Sequence, residues 1–150
     1  MESFEAALAR DIAVTKAVRE AVGPEVKIMV DGNKAYQPRP SAAADYAQAV
    51  KGVRVYFMEE MFPEVDIAGM QELKRRLRAN SDPVKLAAGE SYGDGVPEKV
   101  YTQRFAGGTG TEPLVDVEQA DMNAHGYLRL RAKAAAQAKL GMTLAPHNFG

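Results

Sequence analysis

The chain has no cysteine, almost no net charge and no long apolar run. Without cysteine there is no disulfide framework and no thiolate chemistry, which fits a cytoplasmic enzyme. Nineteen lysines and arginines stand against 20 aspartates and glutamates, for a net charge of −1. That balance removes the electrostatic case for binding nucleic acid or an anionic membrane. No apolar stretch is long enough to span a bilayer. The first residues, Met1-Glu2-Ser3-Phe4-Glu5, are acidic rather than basic, which argues against a signal peptide. No repeat of fixed period and no low-complexity linker interrupts the chain. What is present is ordinary globular material: 150 residues, 46% hydrophobic and 26% charged, enough for one domain with a core.

Three short apolar runs each end in an acid. Met29-Val30-Asp31-Gly32-Asn33 is the first, Val55-Tyr56-Phe57-Met58-Glu59-Glu60 the second and Leu86-Ala87-Ala88-Gly89-Glu90 the third. Helical patterns separate them. Phe4, Leu8 and Ile12 form one row at i, i+4 spacing and Val14, Val18 and Val22 a second, predicting a helix over 3–22 that Gly23-Pro24 stops. Val26 to Asp31 follows as a strand. Ser41 is expected to cap a second helix carrying Tyr46, Ala47 and Val50. Val53 to Glu59 is the second strand. Asp66 is the expected cap of a third helix, with Ile67, Met70, Leu73 and Leu77 on one face. Lys74, Arg75, Arg76 and Arg78 fall mostly on the other, which reads as a solvated face rather than a phosphate patch.

Lys85 to Glu90 is the third strand. Pro97 opens a short helix predicted to run to about Phe105. Gly107-Gly108-Thr109-Gly110-Thr111 reads as a connector, since no strand leads into it and no helix opens from it. Leu114 to Gln119 is a fourth strand followed by Asp121. An alanine-rich helix from about Gly126 to Leu140 ends at Gly141, and Met142 to Pro146 is a fifth strand that delivers His147. Apolar strands alternating with helices imply an α/β fold with a parallel sheet covered by helices. In such sheets function gathers beyond the carboxyl ends of the strands. Asp31, Asn33, Glu59, Glu60, Glu90, Asp121, His147 and Asn148 all belong there; Lys27, Arg54 and Lys85 sit at the other end as surface residues.

Three carboxylates at adjacent strand ends suit Mg²⁺, a hard cation that takes oxygen ligands in an octahedron and keeps positions for water or substrate; Mn²⁺ has similar needs. Without a cation they would repel one another. The alternative is that each acid caps a helix or decorates a loop; the same placement in three consecutive units favours metal. Neighbours on a strand point to opposite faces. The parity that turns Val55 and Phe57 inward also turns Glu59 inward and leaves Glu60 to a local pairing. Asp121 and His147 end neighbouring strands, and a carboxylate behind a histidine fixes its tautomer and raises its basicity, making a general base or acid. His125, at a helix entrance, reads as structural or surface. A metal beside a base suggests removal of a proton α to a substrate carboxylate, followed by reprotonation or by loss of a β-hydroxyl.

The ordered series Val-Asp-Gly-Asn, Phe-Met-Glu-Glu, Ala-Ala-Gly-Glu, Gln-Ala-Asp and Pro-His resembles the barrel domain of the enolase superfamily, in the mandelate racemase and muconate lactonizing enzyme family. Val18-Arg19-Glu20-Ala21-Val22-Gly23 is similar to that family's lead into its first metal strand. Each motif alone is weak, and the ordered set covers essentially the whole chain. The resemblance implies a partial TIM (β/α)8 barrel of about five parallel strands with intervening helices. It implies Asp31, Glu59 and Glu90 as ligands of Mg²⁺ and Asp121 and His147 as an acid–base dyad; Asn33 and Asn148, at the same rim, are expected to line the substrate pocket. Gly89-Glu90 stands where the muconate lactonizing branch carries an acidic pair, and Val115 to Gln119 lacks that branch's lysine. The resemblance therefore leans to the racemase-like branch, and within it to an acid-sugar dehydratase, a lyase of carbohydrate acid catabolism. A 2-hydroxy-acid racemase or epimerase and an inactive truncated barrel are the alternatives.

Two departures bear on this. Met61 stands where the family usually has proline, and the glycine pair after the dyad aspartate is reduced to His125-Gly126. A whole barrel needs about 250 residues, so 1–150 is expected to be a single partial barrel, with the capping domain and the first and last strands absent. An open barrel leaves two sheet edges and an inner face uncovered, and the resemblance implies a homo-oligomer for the full-length form.

Overall fold

Ser3 starts the first element. Its hydroxyl accepts from the Ala6 N–H at 3.2 Å and caps helix α1, Phe4–Val22. The computed structural model describes residues 2–90, 102–108 and 110–147. After α1 come β1 (Ile28–Asp31), α2 (Ser41–Ala49), a 3₁₀ turn (Lys51–Val53) and β2 (Val55–Glu59). Then follow α3 (Ile67–Ala79), β3 (Lys85–Ala88), β4 (Val117–Asp121), α4 (Met122–Lys139) and β5 (Thr143–His147). The five strands form one sheet in the order β1-β2-β3-β4-β5, every pair parallel. The expected α/β fold of five parallel strands alternating with helices is therefore observed. Among the described residues no helix is long and apolar enough to cross a membrane.

Two apolar layers flank the sheet. The larger lies between the sheet and helices α1 to α3, where Val30, Met58, Leu86 and Ala88 meet Phe4, Leu8, Ile12, Tyr46, Leu73 and Leu77. Alanines 42, 43, 44 and 47 let α2 approach closely. The Tyr46 hydroxyl, buried among them, shares a hydrogen bond with Thr15 Oγ1 at 2.7 Å. The smaller layer, on the opposite face, is Phe57, Ala87 and Val117, with Tyr56 and Ala145 against it.

Several sequence expectations shift. Val55 packs in the helix-side core, not inward with Phe57. Ile28 pairs with Val55 but Met29 pairs with Phe57, so Tyr56 is an extra residue that reverses the alternation once. Glu59 keeps the parity of Phe57 beyond that bulge. Of the two rows on α1, Phe4/Leu8/Ile12 reaches the core while Val14, Val18 and Val22 stay exposed. Ser41 is the first helical residue and Pro40 takes the cap position, with no side-chain cap bond.

Lys74 is not on a solvated face: it is 0% exposed. Its ammonium donates to the carbonyls of Pro113 and Leu114 and to Asp116 Oδ1, the last at 2.8 Å. Those acceptors arrive from forty residues downstream, where periodicity within α3 gives no hint of them. Residues 102–105 are not helical; Arg104 bridges Pro113 in antiparallel fashion. Most of the helix predicted from Pro97 lies outside the described residues. β4 begins at Val117, and just before it the Asp116 carboxylate accepts from the Leu86 N–H while its carbonyl accepts from the Thr143 N–H.

Candidate functional site

The carboxyl ends of β1, β2 and β3 are joined by a run of backbone bonds continuing beyond the ladder. Gly32 N–H donates to Glu59 O at 2.8 Å, Lys34 N–H to Glu60 O at 2.6 Å and Glu60 N–H to Ala87 O at 3.2 Å. Asp31 and Glu59 are register partners and so share one face, the face of Phe57 and Ala87. Asp31, on the edge strand, is exposed. Asn33 N–H donates to its Oδ1 at 2.8 Å and Asn33 Nδ2 to its Oδ2 at 3.1 Å, so the amide expected in the substrate pocket is folded back onto the carboxylate in this structure. Asn33 itself has φ +43, the left-handed conformation that asparagine tolerates.

Glu59 is buried, and its Oε2 accepts from Gln119 Nε2 at 2.8 Å. Glu60, also buried, faces elsewhere: Lys34 Nζ lies 3.5 Å from its Oε1. Burial pushes the Glu60 carboxyl up to about 7; Glu64 and Glu90 add to the rise and Lys34 opposes it. Glu90 is half-buried just past β3, following Gly89 at φ +132. The Gly89 N–H donates to the buried Glu64 carboxylate. A side chain at Gly89 would bring Cβ to 2.5 Å from Gln119 O, so only glycine lets β3 turn this close to β4.

Asp121 and His147 are register partners, the last residues of β4 and β5. Their side chains, like that of His125 in α4, lie outside the described part, and Asn148 lies outside the described residues. Among the described residues no three acidic or histidine side chains are gathered closely enough to hold one ion.

Two residues of this rim escaped the sequence reading. Gln119 carries a legible signal: it lies two positions before Asp121 and so shares that residue's face of the strand. Glu64 carries none, since its role depends on Gly89, 25 residues on. The opposite rim is also richer than expected. A cavity of about 560 Å³ opens there, lined by Arg19, Lys27, Arg54, Tyr56 and Lys85 among others. Lys27 and Lys85 both approach the Tyr56 ring, at 4.7 and 4.6 Å, while Arg19 and Arg54 are bonded to backbone carbonyls.

Comparison with known proteins agrees with this architecture. The chain is 30% identical over 141 residues to the D-galactarolactone cycloisomerase of Agrobacterium fabrum, covering 93% of the chain and 33% of that protein. It is 33% identical over 135 residues to a D-galactonate dehydratase family member of Streptomyces bingchenggensis, covering 89% and 29%. The crystal structure of a galacturonate dehydratase mutant from a Geobacillus species, complexed with Mg, superposes with a TM-score of 0.82 at 30% identity, covering 100% of the chain and 36% of that protein. The chain thus spans about a third of the length of these relatives. The family described as Enolase C-terminal domain-like matches residues 1–150, and the chain belongs to that family.

Proposed function

We propose that this chain is the metal- and proton-handling part of a barrel that dehydrates an acid sugar. The observation that carries the reading is the register at the strand ends, Asp31 opposite Glu59 and Asp121 opposite His147 on one parallel sheet. Relatives named as a cycloisomerase and dehydratases of sugar acids or lactones, one of them solved with magnesium, support it.

The donor set fits Mg²⁺ in kind: three hard oxygen ligands from consecutive strands, with Glu59 already desolvated and anchored. The fit is one of type and placement, since the three are not drawn into a closed cluster. Asp31, Glu59 and Glu90 would hold the ion, which when bound supplies Lewis-acid stabilisation of charge developing on the substrate carboxylate. In this reading His147, oriented by Asp121, removes the α-proton of the substrate. The electron pair left behind then expels the β-hydroxyl, which leaves as water after taking up a proton. Asn33 and Asn148 bind the sugar hydroxyls.

The test is a calorimetric Mg²⁺ titration of the 150-residue chain, with circular dichroism to confirm folding. Saturable binding that Asp31→Ala removes is the expected result. A folded chain that takes up no Mg²⁺ sinks the metal reading. His147→Asn is expected to lower dehydration by about 10²–10⁴-fold while leaving Mg²⁺ affinity near that of the unaltered chain; loss of both together refutes the assigned roles.

A further inference from the structure

We propose that Gln119 is a positioning residue, whose side-chain amide fixes the Glu59 carboxylate at the candidate metal site without cancelling its charge; this rests on the reading of Glu59 as a ligand. Glu59 is 7% exposed and Gln119 6%, and the bond between them measures 2.8 Å. They do not lie on neighbouring strands. Glu59 ends β2 and Gln119 belongs to β4, with β3 between them. Adjacent strands are about 4.8 Å apart, so the two side chains meet across roughly twice that distance. Between them β3 carries only small residues on this side, Ala87 as the register partner of Glu59 and Gly89 against the backbone of Gln119.

The chemistry of the donor is the second part of the argument. A carboxylate out of water needs hydrogen bonds or a counter-charge. Lysine or arginine at 119 would supply both and so compete with a cation for Glu59. An amide supplies the hydrogen bond alone. It fixes the carboxylate's direction, and the negative charge stays available to attract an ion. Glutamate at 119 would add a second carboxylate in the same buried space and lose the donor.

The experiment titrates Mg²⁺ and Mn²⁺ into the 150-residue chain and its Gln119→Leu, Gln119→Lys and Glu59→Gln variants, following folding by circular dichroism. Removing a partner that orients a metal ligand weakens affinity by about 10–100-fold, the loss expected for Gln119→Leu. Gln119→Lys is expected to bind more weakly still, since its charge competes with the ion for Glu59; the discriminating readout is the loss in Gln119→Leu with the fold unchanged by circular dichroism, which a merely structural amide would not give. Unchanged affinity in both Gln119 variants, with Glu59→Gln defective, overturns this inference and leaves the metal reading intact. Absence of binding by the unaltered chain overturns both. Where the Gln119 variants do not fold, the side-chain NH₂ resonance of Gln119 in the unaltered chain decides. Displacement on Mg²⁺ addition, abolished by Glu59→Gln, supports the proposal, and an unmoved resonance refutes it.

Discussion

Lys74 shows what one side chain can hold together. Its ammonium is wholly out of water, within reach of two carbonyls, Asp116 and, at 3.4 Å, Glu112, with the Phe105 ring 5.9 Å away. It pins residues 112–116 to α3. Lys74→Met keeps most of the volume and removes the buried donor to the two carbonyls and the nearest cation to Asp116, while Arg78 still holds Glu112. Breaking a buried pair in this way costs about 3–5 kcal/mol, and urea unfolding of the variant should show a loss of that order. Glu72, on the same helix, is the opposite case. It is exposed and accepts from Arg75 and Arg76 at 2.7 to 2.8 Å, and these bonds pull its carboxyl down to about 2. A carboxyl lowered on folding stabilises above its unfolded pKa, near 4.5, and that contribution is lost as pH falls through about 2. The gap in urea midpoint between the native chain and Glu72→Gln should therefore be small at pH 7 and close as pH falls from 4.5 toward 2. A gap that widens on acidification would contradict the assignment. At this scale the sequence was a partial guide. The alternation along β2 separates Glu59 from Glu60 only from Phe57 onward, because the bulge at Tyr56 puts Val55 on the other face. The burial of Lys74 was illegible, because its acceptors come from a distant segment that periodicity cannot see.

Whole elements were legible where burial and chain chemistry agree. Parallel strands covered on both faces read as continuous apolar runs, and each of the first three runs ends in an acid at the sheet's carboxyl edge. Their boundaries were less legible, because an apolar residue can be buried before the ladder begins. Leu114 and Val115 are fully buried, yet β4 starts at Val117. The turn after β3 is the most demanding joint between elements. Gly89 combines φ +132 with a close approach to the backbone of Gln119. Gly89→Ala adds a methyl group that the β4 backbone has no room for, in a conformation that costs of order 1–3 kcal/mol for a side-chain-bearing residue. The expected outcome is a destabilisation of at least about that size, together with faster hydrogen exchange at the Gly89 and Glu60 amides, which face Glu64 and Ala87. Ordinary exchange and stability in this variant would show that β3 can shift away from β4 without cost.

At the scale of the molecule, the sheet is open among the described residues: β1 and β5 each pair on one side only. The helix-side layer is thick, whereas the opposite layer has only three buried members, Phe57, Ala87 and Val117. Met29, which pairs with Phe57 at the β1 edge, is 56% exposed. Val14, Val18 and Val22 form an exposed i, i+4 row on α1, and Val26 stands exposed between α1 and β1. An unpaired strand edge beside exposed apolar side chains is a template for association. The 150-residue chain should therefore sediment above its monomer mass of 16.2 kDa, in a concentration-dependent way. Val18→Lys combined with Met29→Lys puts charge on the helix row and on the edge strand, two features that oppose edge-to-edge pairing. Both positions are exposed, so the far-ultraviolet circular dichroism should not change while the sedimentation coefficient falls to the monomer value. If association persists in the doubly substituted chain, the β1 side is not the contact and the β5 edge or the inner face must carry it. A monomeric native chain would mean that three buried residues and a half-open face suffice in water, and the expectation of self-association would be wrong.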